Sequence, residues 1–278
     1  MDMEIKLLAV DMDETVVNSR HQMTEQTKLA LELAIQKGIL VVPVTGRCLE
    51  GLPAKIRRMD GVEYFITSNG AKAYDFKEQR ILYRRLIPNQ TACAILKKCQ
   101  EEEIGIAIHQ EGKCYDNSFL QAAYRYVAYH RDFKAHRVQK DLYEWVRENE
   151  KPVEKIQVFS KDEKKLLVLQ EMLERFVTLE MAVSTSGYIE ITQAEANKGK
   201  ALEALCDSLG ISLLQVMAIG DNANDFSMLE RVGFPVAMGN AKEELKQIAK
   251  TVTTSNDEDG VATVSYTHLR AHETRRHL

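Results

Sequence analysis

An apolar run, Leu7-Leu8-Ala9-Val10, ends abruptly in Asp11-Met12-Asp13. A short apolar run bounded by polar residues reads as a buried strand, so two carboxylates stand one residue apart where that strand gives way to a loop. Anions held together away from water are poorly solvated and repel each other. A chain that places them there must supply positive charge, and a hard, oxygen-seeking cation such as Mg²⁺ suits such a pair. The junction therefore points to a fold in which carboxyl ends of strands open into a polar crevice, as in open parallel α/β sheets.

The flanking segments fit that fold. Thr24 is placed to cap a helix that runs to about Lys37 and stops at Gly38, with Leu29/Leu33 and Ala30/Ala34 at i, i+4 spacing. A second apolar run, residues 39–44, ends in Thr45-Gly46-Arg47, although Pro43 inside it cannot donate to a ladder. A third, residues 64–67, ends in Ser68-Asn69-Gly70. The theme returns with a helix opening at Asn197-Lys198-Gly199, an apolar run at 216–219 ending in Gly220-Asp221, a helix over 224–231 and a short strand over 234–238. Strand–helix–strand alternation predicts parallel pairing. Between about Tyr83 and Ile191 the texture changes to a hairpin around Glu111-Gly112 and further strands near 155–160, 179–184 and 188–192, with a helix over 164–176. The fold expected is α/β: a Rossmann-like parallel-sheet core over 1–83 and 191–264, with an inserted α+β cap domain over 84–190.

Residues 265–278 hold three arginines against one glutamate and three of the seven histidines, a break from everything before them. We read them as a non-native appendage and exclude them from functional reasoning. The formal net charge of −4 excludes nucleic-acid binding driven by bulk charge. No apolar run is long enough to span a bilayer, and the acidic N-terminus is unlike a secretory signal. Cys48, Cys93, Cys99, Cys114 and Cys206 form no C-x-x-C pair and read as reduced thiols of a cytoplasmic protein. Arg47 and Cys48 read as packing residues, and His109, His130 and His136 receive no role.

Three apolar runs thus end in Asp11/Asp13, Thr45-Gly46-Arg47 and Asp221-Asn222-Ala223-Asn224-Asp225, with Lys198 opening a helix between the second and third. Carboxylates, one lysine, a hydroxyl and amides suit a phosphate held beside Mg²⁺. In order and spacing these segments resemble the haloacid dehalogenase superfamily. Asp11, Asp13 and Thr15 match D-x-D-x-[TV], Thr45 matches the second motif, Lys198 the third, and Gly220, Asp221, Asn224 and Asp225 the fourth, G-D-x-x-N-D. The large insertion makes the chain similar to the Cof-type sugar-phosphatase branch.

The resemblance implies a Mg²⁺-dependent phosphatase of small phosphorylated metabolites, sugar phosphates or similar, working through an aspartyl-phosphate. Asp11 would be the nucleophile and Asp13 the acid and base. Asp11, Asp13 (through its carbonyl) and Asp221 would hold the metal. Thr45, Gly46, Lys198 and Asn224 would bind the phosphoryl group, with Asn224 and Asp225 orienting the others. A phosphosugar mutase using the same aspartate, or a non-catalytic phosphometabolite-binding protein, are the alternatives. Two departures from the family pattern stand out. Glu14 replaces a customary glycine, which fits if its φ is negative. No amphipathic closing helix is evident after Asp259-Gly260-Val261-Ala262.

Overall fold

The computed structural model describes residues 4–120, 122–123, 136–184 and 187–273; His130 and positions 274–278 of the tail lie outside them. The chain divides into two compact units, one of Met1–Thr45, Ala54–Tyr83 and Asn197–Leu278, the other of Gly46–Pro53 and Arg84–Ala196.

The first unit is built on β1 (Leu7–Asp11), β2 (Leu40–Val44), β3 (Tyr64–Thr67), β4 (Lys72–Asp75) and β5 (Arg80–Arg84), joined later in the chain by β12 (Val216–Gly220), β13 (Phe234–Ala237) and β14 (Thr251–Val252). Their order in the sheet is β14-β13-β12-β1-β2-β3-β4-β5. From β14 through β3 neighbours run parallel, and β4 turns back antiparallel on β3, so the sheet is mixed at one side. β1 is buried along its whole length, as its unbroken apolar run requires of a strand covered on both faces. Pro43 sits inside β2, an interior strand. The ladder from β2 to β3 pairs Val44 with Ile66, after the proline, which accommodates a residue lacking an N–H.

Helix α1 (Glu25–Gln36) is capped by the Thr24 hydroxyl, which accepts from Thr27 N, and buries Thr27, Ala30, Leu31 and Ala34. Leu29, expected on the apolar face, is instead 48% exposed: the buried stripe follows Ala30, Leu31 and Ala34. A closing helix exists, contrary to expectation. It spans Gly260–Glu273 and buries Val261, Ala262, Val264 and Ser265, an i, i+3, i+4 stripe that continues past the boundary placed at 264. The Asp259 carboxylate just before it accepts from the Thr24 hydroxyl at 2.5 Å, tying it to the start of α1.

The second unit carries β6 (Gly105–Gln110), β7 (Lys113–Asp116), β8 (His136–Val138), β9 (Lys155–Phe159), β10 (Leu179–Ser184) and β11 (Tyr188–Gln193), ordered β10-β11-β9-β6-β7-β8. All pairs are antiparallel except β7 with β8. Helices α2 (Asn89–Glu101), α3 (Leu142–Asn149) and α4 (Glu163–Leu173) join one face of this sheet in an apolar core with Ile106, Ile108, Ile156, Val158, Ile189 and Ile191. By strand alternation the opposite face bears Ala107, His109, Cys114, Asp116, Lys155, Gln157 and Glu190. Cys48 packs there against Ala107 and Cys114. Glu50 N donates to Gly112 O at 2.9 Å, which is one reason residues 46–53 belong with this unit.

Candidate active site

Parallel register brings three strand ends together. Asp11, the last residue of β1, pairs with Val44, so Thr45 follows immediately beside it. Val10 pairs with Ile219, which puts Gly220-Asp221 at the same end of the sheet. Beyond β1 the chain makes one wide turn closed by Val17 N donating to Met12 O at 3.0 Å. That turn folds Thr15 back, and its hydroxyl donates to Asp221 Oδ1 at 2.8 Å. Glu14 holds φ +59°, a left-handed conformation, so the condition of a negative φ is not met; the tight reversal between Asp13 and Thr15 imposes the positive value.

Lys198 opens helix α5 (Lys198–Leu209), whose N-cap Asn197 accepts from Lys200 N. Two glycines allow the close approaches that fix it. Gly70, at φ +92°, lets the turn after β3 press on Asn197, where a Cβ would lie 2.2 Å from the Asn197 carbonyl oxygen. At Gly220 a Cβ would lie 2.5 Å from the Asp225 carboxyl carbon. The Lys198 ammonium is fully buried and donates to Asp11 Oδ1 at 2.5 Å and Asp225 Oδ1 at 2.6 Å. Asp225 Oδ2 accepts from the main-chain N–H groups of Asp221 and Asn222 at 3.0 and 3.1 Å. Both Asp225 oxygens are therefore committed, whereas Asp11 and Asp221 each retain Oδ2 beyond these bonds.

Asp11, Asp221 and Asp225 place carboxylate oxygens within 4.8 Å of one another, against one ammonium. At about 4 Å, two like charges repel by about 4 kcal/mol at the effective dielectric of a partly wet site. That is a large share of a domain's net stability, about 5–15 kcal/mol. The imbalance shows in proton affinities. Burial, reinforced by Asp225, Asp221 and Asp13, holds Asp11 well above the usual carboxylate range despite Lys198. Burial and Asp225 push Asp221 to about 7, against the hydrogen bond from Thr15. Burial alone would lower Lys198, but Asp11 and Asp225 hold its proton more firmly than usual. A buried, oxygen-only donor set with surplus negative charge fits a hard divalent cation, and Asp11 and Asp221 have the oxygens for it.

The other expected residues fall as follows. Asp13 is half-buried and close enough to raise Asp11. Thr45 is fully buried, and its carbonyl accepts from Asn69 N at 3.0 Å. Asn224 is exposed and reaches the cluster's rim, its amide donating to Asn69 Oδ1 at 3.2 Å. Gly46 groups with the second unit, and Lys155 Nζ donates to its carbonyl at 2.7 Å. Arg47 donates to Gly51 O at 3.2 Å, and burial pushes the Cys48 thiol to about 11, so neither behaves as a reacting group. Thr15, Asn69 and Gly70 were not assigned roles from sequence. Thr15 stood in the first motif and Asn69-Gly70 in the turn after the third apolar run, but their effects come from contacts across the chain.

The haloacid dehalogenase-like hydrolase family matches residues 8–264. Phosphatase YwpJ of Bacillus subtilis is 32% identical over 93% of this chain and 98% of its own length. The 5-amino-6-(5-phospho-D-ribitylamino)uracil phosphatase YwtE of Bacillus subtilis is 30% identical over 93% of this chain and 96% of its own. Among solved structures, a haloacid dehalogenase-like hydrolase from Bacteroides thetaiotaomicron superposes with a TM-score of 0.84 at 25% identity, over 95% of this chain and 99% of the other. The subclass IIB sugar phosphatase BT4131 gives 0.78 at 25% identity, over 95% and 98%. No helix among the described residues is long and apolar enough to cross a membrane. With its strand-end carboxylates, its buried lysine and these relatives, the chain belongs to the haloacid dehalogenase-like hydrolases, and it is a phosphatase.

Proposed function

We propose that the protein hydrolyses small phosphoric monoesters, sugar phosphates or related phosphorylated polyols, through a covalent phosphoryl–Asp11 intermediate with Mg²⁺ as cofactor. The observation that carries the reading is the Lys198 ammonium bridging Asp11 and Asp225 while Asp221 crowds the same space, leaving more negative charge than the chain itself balances. The names of YwtE and BT4131 support the substrate class.

In this reading an Asp11 oxygen bonds to phosphorus as the bond from phosphorus to the leaving oxygen breaks, and the Asp13 carboxyl gives that oxygen its proton. Water then attacks the phosphoryl group, passing its proton to Asp13, and Asp11 is freed with inorganic phosphate. Lys198 holds Asp11 in place and offsets charge on the phosphoryl oxygens, Asp225 holds Lys198, and the Thr45 hydroxyl and Asn224 bind the phosphoryl group. Asp225 and Thr15 act by orienting Lys198 and Asp221 respectively. Mg²⁺, held by Asp11, Asp221 and the Asp13 carbonyl, would supply the charge that lets a carboxylate approach a phosphate dianion.

The test is a panel of sugar phosphates, phosphorylated polyols, nucleotides and flavin mononucleotide, assayed for inorganic phosphate with Mg²⁺ and with EDTA. Release that EDTA abolishes and Asp11→Asn eliminates is the expected result. Turnover that survives in Asp11→Asn would remove the nucleophile from the mechanism.

A further inference from the structure

Among the described residues, one metal-ligating cluster lies outside the carboxylate site: Cys114, Asp116 and His136, in the sheet of the second unit. Strand geometry assembles it. Cys114 and Asp116 are two apart on β7, so both project from the same face. β8 runs parallel beside β7 with His136 in register with Cys114, and neighbouring strands lie only about 4.8 Å apart. One ligand atom from each residue lies within 4.8 Å of those of the other two. Asp116 Oδ2 is 2.7 Å from His136 Nδ1 and 3.9 Å from Cys114 Sγ. The thiol and the carboxylate are buried, and the imidazole side chain is 5% exposed.

The donor set differs in kind from the acidic cluster. Three carboxylates offer only hard oxygen, whereas a thiol, an imidazole and a carboxylate suit a borderline cation: Zn²⁺ is held by sulfur at about 2.3 Å and by nitrogen or oxygen at about 2.0 Å. Those lengths set tetrahedral edges of roughly 3.5 Å. The observed 3.9 and 2.7 Å bracket that value and the third edge lies within 4.8 Å, so a cation enters with side-chain shifts on the order of 1 Å. We propose that Cys114, Asp116 and His136 form a second metal site, specific for a borderline divalent cation such as Zn²⁺, with a fourth position left to water or another ligand. On binding, the thiol proton leaves to solvent and the sulfur coordinates as thiolate, the imidazole proton moves off Nδ1 to the other ring nitrogen or to solvent, and the carboxylate exchanges its hydrogen bond to His136 for a bond to the metal. The site does not depend on the phosphatase mechanism.

Co²⁺ titration of the full chain, stripped with EDTA and desalted, tests it, because a thiolate on Co²⁺ gives a near-ultraviolet charge-transfer band that an oxygen site cannot. The expected result is a band saturating at one Co²⁺ per chain and displaced by Zn²⁺ but not by Mg²⁺. It should persist in Asp11→Asn and in Cys206→Ser, whose cysteine lies in α5 of the first unit, and vanish in Cys114→Ser. His136→Ala, a change at a strand edge, should fold and bind Co²⁺ at least about tenfold more weakly, so the proposal stays testable if Cys114→Ser fails to fold. A wild type without the band, a band that survives Cys114→Ser, or unchanged affinity in His136→Ala overturns it.

Discussion

Lys198 and Lys155, one in each unit, are both almost wholly buried and both paired with carboxylate, yet their surroundings balance differently. Lys155 meets one carboxylate, Glu190, at 2.7 Å, and the Gly46 carbonyl at the same distance. Glu190 Oε1 also accepts from Gln157 Nε2 at 2.9 Å and from the Tyr188 hydroxyl. Burial alone would raise Glu190, but Lys155 and these donors hold its carboxyl well below its usual range. Lys155 and Glu190 form a one-to-one ion pair there. Lys198 faces Asp11 and Asp225 with Asp221 beside them, and Asp11 and Asp221 are driven upward instead. A closed, neutral cluster holds a structure; an open one with surplus anion calls for a ligand. The difference lies in the charge balance, since burial is common to both.

The sharpest way to break this contrast is to neutralise one carboxylate in each cluster. Asp11→Asn is expected to lower phosphate release at least about a thousandfold, as loss of a nucleophile does. It should also leave the metal-free protein no less stable, because it relieves repulsion while Lys198 keeps Asp225. Glu190→Gln should behave in the opposite way. It strands a buried ammonium, and breaking one side of such a pair costs about 3–5 kcal/mol. Urea unfolding of both variants with EDTA present, beside a steady-state phosphate assay, checks both statements. A large stability loss in Asp11→Asn would collapse the contrast.

Metal adds a smaller increment to one side only. If Mg²⁺ offsets the surplus charge, then at one hundred times its Kd it raises stability by about 2.7 kcal/mol. EDTA should reverse the gain, and Asp221→Asn should largely abolish it; thermal melts at graded Mg²⁺ give the measurement. Acid probes the other side. Glu190 binds its proton less readily folded than unfolded, so its contribution is fully present above the unfolded value near 4.5 and is lost as pH falls toward the lower folded value. The stability gap between wild type and Glu190→Gln should therefore be full at pH 7 and shrink below about 4.5. A gap that widens on acidification would reverse the assignment of charge.

Sequence revealed these two clusters unequally. The acidic one was legible because it interrupts apolar runs at their ends: Asp11 at the end of β1 and Asp221 after β12 stand where nothing apolar explains them. The Lys155 cluster was hidden by its own periodicity. Lys155-Ile156-Gln157-Val158 alternates as a strand with one wet face does, yet both faces are buried, and a period of two cannot separate a buried polar face from a solvated one. The same blindness covered Cys114, Asp116 and His136, whose meeting needs the register of β7 on β8. The grouping of residues 46–53 with the second unit rests on long-range bonds, such as Glu50 N to Gly112 O, which leave no local trace. The closing helix was obscured by composition: its polar residues and histidines drew the eye from the stripe of Val261, Ala262 and Val264.

The smallest expected effect concerns the turn that carries Asp13 and Thr15. Glu14 sits at φ +59° and ψ +11°, where a side chain costs about 1–2 kcal/mol. Its carbonyl accepts from Asn240 Nδ2 at 2.9 Å, a bond any residue at that position can keep. Glycine would remove the steric cost but bring more unfolded-state freedom, worth roughly 0.5–1 kcal/mol in the opposite direction. Glu14→Gly should therefore raise stability by about 0.5–1 kcal/mol in the absence of metal, helped slightly by removing one more negative charge near Asp221. Turnover should stay within about twofold, because Thr15 and Asp13 keep their places in the turn. A fall in stability would mean that the turn depends on the Glu14 side chain itself, and that the excess of negative charge around Lys198 is smaller than the geometry indicates.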